Sequence, residues 1–278
     1  MYLVTAEFIK EHPDSIIIDC RYDMSNPPFG YNEYCNGHIK GAYYIDLDKD
    51  MTSELQTHGG RHPLADLLTF TDKLGSFGIK NDSTVVIYDN GELAMASRLW
   101  FMCQLIGLNT YIVEGGYNTI KETLEVSVEI PEERVSELKM HYDASIICNK
   151  DDVIGAMKKE KTVIVDSRSN PRFLGLEEPF DKIAGHIPTA VNYFWKDNFK
   201  DDQVKDYGDI EAMFLEMHHY DDIIVHCGSG ITGCVNMFFL NEINIKSKLY
   251  AGSYSDWLSY DDNEVIIKDN KRQKVKFI

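Results

Sequence analysis

An internal duplication constrains this chain more than any other feature of its sequence, because two copies of one segment order must fold alike. Ile16-Ile-Ile-Asp-Cys-Arg21 returns as Val163-Ile-Val-Asp-Ser-Arg168, and Gly37-His-Ile-Lys-Gly-Ala42 returns as Gly185-His-Ile-Pro-Thr-Ala190. Val85-Val-Ile-Tyr-Asp89 then pairs with Ile223-Ile-Val-His-Cys227, and Tyr111-Ile-Val-Glu-Gly-Gly-Tyr117 with Lys248-Leu-Tyr-Ala-Gly-Ser-Tyr254. The matches keep their order and nearly their spacing. Each apolar run has the length of a buried strand, and helix-like stretches such as Gly91–Leu105 and Ile231–Asn241 follow the third matched run in each copy. This alternation predicts an α/β chain of two tandem domains, each a mostly parallel sheet flanked by helices. The repeat limits put the domains at residues 1–125 and 143–278, with the acidic, unrepeated stretch 126–142 as a linker.

Charge narrows the partners. The 278 residues carry 28 Lys plus Arg against 45 Asp plus Glu, a formal net charge of −17. A field of that sign repels phosphate backbones and anionic bilayers, so neither nucleic acid nor membrane is an expected partner. No stretch reaches the ~18 apolar residues of a spanning helix, and Glu7 interrupts the N-terminus before a signal core could form. The six cysteines (Cys20, Cys35, Cys103, Cys148, Cys227 and Cys234) form no disulfide framework. The expectation is a cytoplasmic protein with reduced thiols.

Ligands of open α/β sheets bind where strands give way to loops and helix N-termini. There the two copies part company: the first has Asp89-Asn-Gly-Glu92, the second Cys227-Gly-Ser-Gly-Ile-Thr-Gly233. A cysteine at a strand end, followed by a glycine-rich loop that opens a helix, meets converging backbone N–H groups that favour the thiolate, the nucleophilic form. Three readings of this loop compete. A cysteine phosphatase needs an arginine at position 233 to grip phosphate bidentately, and the residue is Gly. A dinucleotide site is suggested by the G-x-G-x-x-G string from Gly228 to Gly233, yet the strand about 20 residues on lacks the acidic ribose ligand. The third reading is sulfur transfer, with Cys227 holding a sulfane sulfur as a persulfide.

From about Ile16 to Trp257 the sequence resembles the tandem-domain rhodanese and 3-mercaptopyruvate sulfurtransferase family. The first half contributes Ile18-Asp-Cys-Arg21, Gly37-His-Ile-Lys-Gly-Ala42, Gly60-Arg-His-Pro-Leu64, Ala96-Ser-Arg-Leu-Trp100 and Glu114-Gly-Gly116. The second contributes Val165-Asp-Ser-Arg168, Arg172-Phe-Leu-Gly175, Ala184-Gly-His-Ile-Pro188, the Cys227 loop and Ala251-Gly-Ser-Tyr-Ser-Asp-Trp257. The resemblance implies two rhodanese-like domains, the first inactive with Asp89 in the nucleophile's place. It implies no metal or organic cofactor. Cys227 would take sulfur from a small-molecule donor, 3-mercaptopyruvate or thiosulfate, and pass it to cyanide or to a thiol, either small or on a thioredoxin-like protein.

Within the six-residue loop, Gly228, Gly230, Ile231 and Thr232 are implied substrate-binding residues, and the Gly-Ser-Gly pattern is similar to the mercaptopyruvate type. Ser229 would hydrogen-bond the keto acid and His38 would assist it. Arg172 is the implied partner of the donor carboxylate; where the mercaptopyruvate type has a second arginine, Glu177-Glu-Pro-Phe-Asp-Lys182 offers Lys182 alone. The alternatives are a thiosulfate-preferring rhodanese and a relay or regulatory module without turnover. Repetition marks Asp19, Arg21, Asp166, Arg168 and His186 as structural, Cys234 reads as a helix-buried thiol, and the basic stretch Lys268 to Lys276 as a solvated terminus.

Overall fold

A computed structural model describes residues 1–275. The chain forms two compact units: Met1–Ser53, Leu64–Asp143 and Asp202–Val204 make the first, and Glu54–Pro63, Ala144–Asp201 and the chain from Lys205 onward make the second. The second unit is therefore discontinuous in sequence, because Glu54–Pro63 belongs to it.

The first unit is built on β1 (Leu3–Val4), β2 (Ile16–Asp19), β3 (Tyr43–Tyr44), β4 (Val85–Tyr88) and β5 (Thr110–Val113), in the spatial order β1-β5-β4-β2-β3. The second uses β6 (Ile147–Cys148), β7 (Thr162–Asp166), β8 (Val191–Asn192), β9 (Asp222–His226) and β10 (Lys248–Tyr250), in the order β6-β10-β9-β7-β8. Position for position the two orders are the same, and every pairing is parallel. The central strands are short apolar runs because a parallel sheet covered by helices buries both faces. All four residues of β4 are buried, as are Ile223 to His226 of β9. After β4 comes α1 (Ala94–Leu105) and after β9 comes α2 (Gly233–Glu242); only Gln104 and Asn241 in these helices escape full burial. A helix buried on all sides has no solvent face to offer, which is why neither shows a one-sided pattern in sequence.

The Asp-x-Arg turns act alike in both units. Arg21 Nη2 donates to Asp19 Oδ2 at 2.7 Å and to the Gly37 carbonyl at 2.8 Å; Arg168 Nη2 donates to Asp166 Oδ2 and to the Gly185 carbonyl, both at 2.6 Å. The two guanidinium carbons lie 3.8 Å and 3.9 Å from the ring centres of Tyr117 and Tyr254. Removing one partner would strand a buried charge, at a cost of about 3–5 kcal/mol.

Residues 126–142 lie along the first unit: Val126–Ser127 pairs antiparallel with His38–Ile39, and Arg134 and His141 donate backbone bonds to Ser76 and Ile106. The C-terminal basic stretch departs from expectation. Lys271–Lys274 forms a strand antiparallel to Glu264–Ile267, and Val275 is buried in the second unit's core beside Trp257 and Val265. Its four strand residues are exposed, so it carries no apolar alternation to read; Lys276 lies outside the described residues. Among the described residues, no helix is long and apolar enough to cross a membrane.

Candidate functional site

Cys227 directly follows β9, and the loop after it turns through Gly230 at φ +81°, a conformation glycine adopts without strain. The turn aims the Gly230 N–H at the Cys227 sulfur, 3.2 Å away. Behind the loop, α3 (Ser253–Trp257) braces it. Ser253 Oγ accepts the Cys227 N–H at 3.1 Å, and the Tyr254 and Ser255 N–H groups bond the carbonyls of Cys227 and Gly228. Cys227 is 2% exposed. Burial of the sulfur works against ionisation, but the Thr232 hydroxyl and the N–H groups of Ser229, Gly233 and Gly230 outweigh it and hold the thiol below the ordinary cysteine range. Three other buried thiols go the opposite way: burial pushes Cys20 and Cys103 up, and Cys148 up to about 12.

Gly233 packs where a larger residue has little room, since a Cβ there would lie 3.2 Å from the His226 carbonyl carbon. The position at which a phosphatase needs its arginine is thus a close helix-to-strand contact. His226 is fully buried beneath the loop; burial holds its imidazole below the usual range, with Nε2 3.8 Å from Asp166 Oδ2.

Two guanidiniums crowd the residue after Cys227. A Cβ on Gly228 would meet Arg61 Nη2 at 3.0 Å and Arg172 Nη2 at 3.2 Å. Arg172 is held by Glu178 through bonds of 3.0 and 2.7 Å, and Asp181 pairs with both arginines, its second oxygen 3.5 Å from Arg172 Nη2. Phe180, 66% exposed, lies beside both cations. A second guanidinium beside Gly228 thus comes from Arg61, in the Glu54–Pro63 segment.

The same segment supplies a histidine. His62 Nδ1 stands 2.8 Å from Ser229 Oγ. The expectation for His38 is corrected by this geometry. His38 is fully buried in the first unit, stacked on Tyr34, with Nδ1 2.7 Å from the Tyr34 carbonyl and Nε2 3.1 Å from that of Glu129. His186 repeats the arrangement in the second unit, stacked on Phe173 with Nδ1 2.6 Å from its carbonyl. The repeated histidine is a packing and hydrogen-bonding residue in both copies.

The structure thus gathers Cys227, Gly228, Ser229, Gly230, Thr232 and Arg172 of the expected residues, and adds Arg61 and His62. Ile231 is 1% exposed, and its carbonyl accepts the Cys234 N–H. Cys234 is buried and donates to the Gly230 carbonyl at 3.3 Å. The signal for Arg61 and His62 was Gly60-Arg-His-Pro-Leu64, a first-half motif without a counterpart in the second half.

Comparison with known proteins agrees with the duplication. The Rhodanese-like domain matches residues 5–123 and again 149–260. A Pseudomonas aeruginosa protein named as a probable 3-mercaptopyruvate sulfurtransferase is 32% identical over 269 residues, covering 92% of this chain and 95% of that protein. The 3-mercaptopyruvate sulfurtransferase of Escherichia coli is 31% identical, covering 92% and 94%. Among solved structures, the 3-mercaptopyruvate sulfurtransferase from Leishmania major superposes with a TM-score of 0.80 at 25% identity, covering 91% of this chain and 73% of that one.

Proposed function

This chain belongs to the rhodanese-like family and is a sulfurtransferase of the 3-mercaptopyruvate/thiosulfate type, and from that premise we propose that it prefers 3-mercaptopyruvate and works through a Cys227 persulfide. The observation that carries the donor preference is the Ser229 hydroxyl held against His62 Nδ1 at 2.8 Å. The Cys227 thiolate attacks the donor sulfur and forms an S–S bond while the C–S bond breaks. The bonding pair leaves with carbon as the enolate of pyruvate. The proton from the donor thiol passes to the Ser229–His62 pair and returns to the enolate carbon, so persulfide and pyruvate leave the site's protonation unchanged. The loop N–H groups and the N-terminus of α2 hold the persulfide anion. An acceptor thiol, small or on a thioredoxin-like protein, takes the outer sulfur and regenerates the thiolate; cyanide yields thiocyanate. Arg172 and Arg61 hold the donor carboxylate. Such chemistry needs reduced thiols, and we assign the enzyme to the cytoplasm.

Thiosulfate supplies the test, because its S–S bond breaks with sulfite as leaving group and no proton moves. Ser229→Ala and His62→Gln should each lower kcat/KM for mercaptopyruvate about 100-fold, in the range of lost general acid–base help, and change thiosulfate turnover only a few-fold. Equal losses with both donors would remove the proton role. Intact mass after incubation with donor should rise by one sulfur in the parent enzyme and stay unchanged in Cys227→Ser.

A further inference from the structure

We propose that Asp181 is the residue that sets the charge class of the sulfur donor, by cancelling one of the two cations at the mouth of the Cys227 loop. This rests on the reading of Cys227 and its arginines above. Three arginines and three carboxylates form one ion-paired cluster: Arg61, Arg168 and Arg172 against Asp166, Glu178 and Asp181. Their formal charges balance. The carboxylates differ in what they hold. Asp166, the last residue of β7, pairs with Arg168, and His226 Nε2 lies 3.8 Å from its Oδ2. Glu178 is anchored four ways, by Arg168, by Arg172 and by the N–H groups of Phe180 and Asp181 at 3.1 and 3.3 Å. Asp181 alone bridges Arg61 and Arg172, the two guanidiniums that reach over Gly228.

A donor bound against those guanidiniums meets a neutral cluster. It tolerates one negative charge, the carboxylate of an α-keto acid, and disfavours two. Without Asp181 the cluster carries a net positive charge and the dianion thiosulfate gains more than the monoanion does. Asp181 is 5% exposed at its side chain, so water screens this difference little. A unit charge beside the bound donor, at an effective dielectric between those of protein and water, changes a relative rate about tenfold.

Cys227 itself reports the local field, independently of turnover. The test compares its alkylation by iodoacetate, an anion, with that by iodoacetamide, which is neutral, read at the Cys227 peptide by mass. Asp181→Asn should raise the iodoacetate/iodoacetamide rate ratio about tenfold and raise kcat/KM for thiosulfate relative to mercaptopyruvate by a similar factor. Arg61→Gln should move both ratios the other way, and Asp181→Asn combined with Arg61→Gln should return them near the parent values. Asp181→Asn lowering both donors alike with an unchanged alkylation ratio would overturn the proposal and leave Asp181 a structural clamp. If Asp181→Asn fails to fold, Arg61→Gln carries the same alkylation test with the opposite sign, and an unchanged ratio there also overturns it. The two readings fail separately. Parent enzyme that turns over neither donor while the alkylation ratios shift as stated refutes the donor assignment and supports the charge role. Parent enzyme that forms the persulfide from both donors with ratios that do not shift refutes only the role of Asp181.

Discussion

Asp89 and Cys227 occupy the same place in two copies of one fold, and their surroundings differ instructively. Both are 2% exposed, both follow a central strand and both precede a buried helix. Asp89 fills its own loop: Oδ1 accepts the N–H groups of Gly91 and Leu93 at 2.8 and 3.3 Å, and Oδ2 that of Ala96 at 3.2 Å. Burial still pushes its carboxyl above the usual range. At Cys227 the N–H groups and the Thr232 hydroxyl win instead, and the thiol moves down. The fold supplies the same anion-binding turn twice. The Asp89 carboxylate saturates it, whereas at Cys227 the same kind of donor faces a sulfur. A neighbouring position differs too: Gly116 at φ +59° in the first copy is Ser253 at φ +57° in the second. A Cβ on Gly116 would lie 2.3 Å from the Gly91 nitrogen and 2.6 Å from the Asp89 carbonyl oxygen, whereas the second copy accommodates one and uses its hydroxyl to hold the Cys227 N–H.

The most direct way to break this comparison is to make the two loops alike. Cys227→Asp should fold, as its counterpart does, and lose sulfur transfer by about 10³-fold or more with either donor; retained transfer would show that another thiol carries the chemistry. Gly116→Ala, which puts a Cβ against the first copy's backbone, should destabilise by about 2–4 kcal/mol in denaturant titration. A cost below ~1 kcal/mol would mean that the first loop is as permissive as the second. Thr232→Val, which takes one donor from the thiolate, should slow iodoacetamide reaction at neutral pH about tenfold and move the midpoint of the rate's pH profile upward. The smallest effect concerns the thiols that burial pushes up. Their protonated form is favoured by folding, so the stability they contribute is complete below the unfolded cysteine range, ~8.5, and is lost as pH rises towards the folded value, about 12 for Cys148. Replacing Cys148 by Ala should therefore remove about 1 kcal/mol of the stability lost between about pH 9 and 10. Cys227 has the reverse sign, its share being lost as pH falls through its lowered folded value.

Much of this molecule is legible in its sequence because the duplicated strands are buried on both faces and keep their apolar runs. The Asp-x-Arg turns survive in both copies for a physical reason, namely that a buried ion pair loses too much when one partner changes. Cys227 is legible because it stands where its repeat partner is Asp89 and opens a Gly-Ser-Gly loop after a strand. His38 misleads for the opposite reason: it stands in a repeated Gly-His-Ile motif, and repetition here reports packing, as the matching stacks of His38 on Tyr34 and His186 on Phe173 make plain. Arg61 and His62 are hidden because their segment has no repeat partner and contacts residues such as Asp181 and Ser229, more than a hundred positions away in the chain. The C-terminal strand is hidden because hydrogen bonding to Glu264–Ile267, with no apolar alternation of its own, makes it a strand.

The discontinuity of the second unit has a consequence for the history such a chain can have. Once Glu54–Pro63 sits beside Cys227, the half that carries Asp89 cannot be discarded as a spent duplicate, because a deletion that spares every residue after Asp143 still takes Arg61 and His62 with it. Duplication can be undone only while the copies remain self-sufficient. Here the copy that carries Cys227 draws Arg61 and His62 from the chain before Asp143, so the two copies are inherited together.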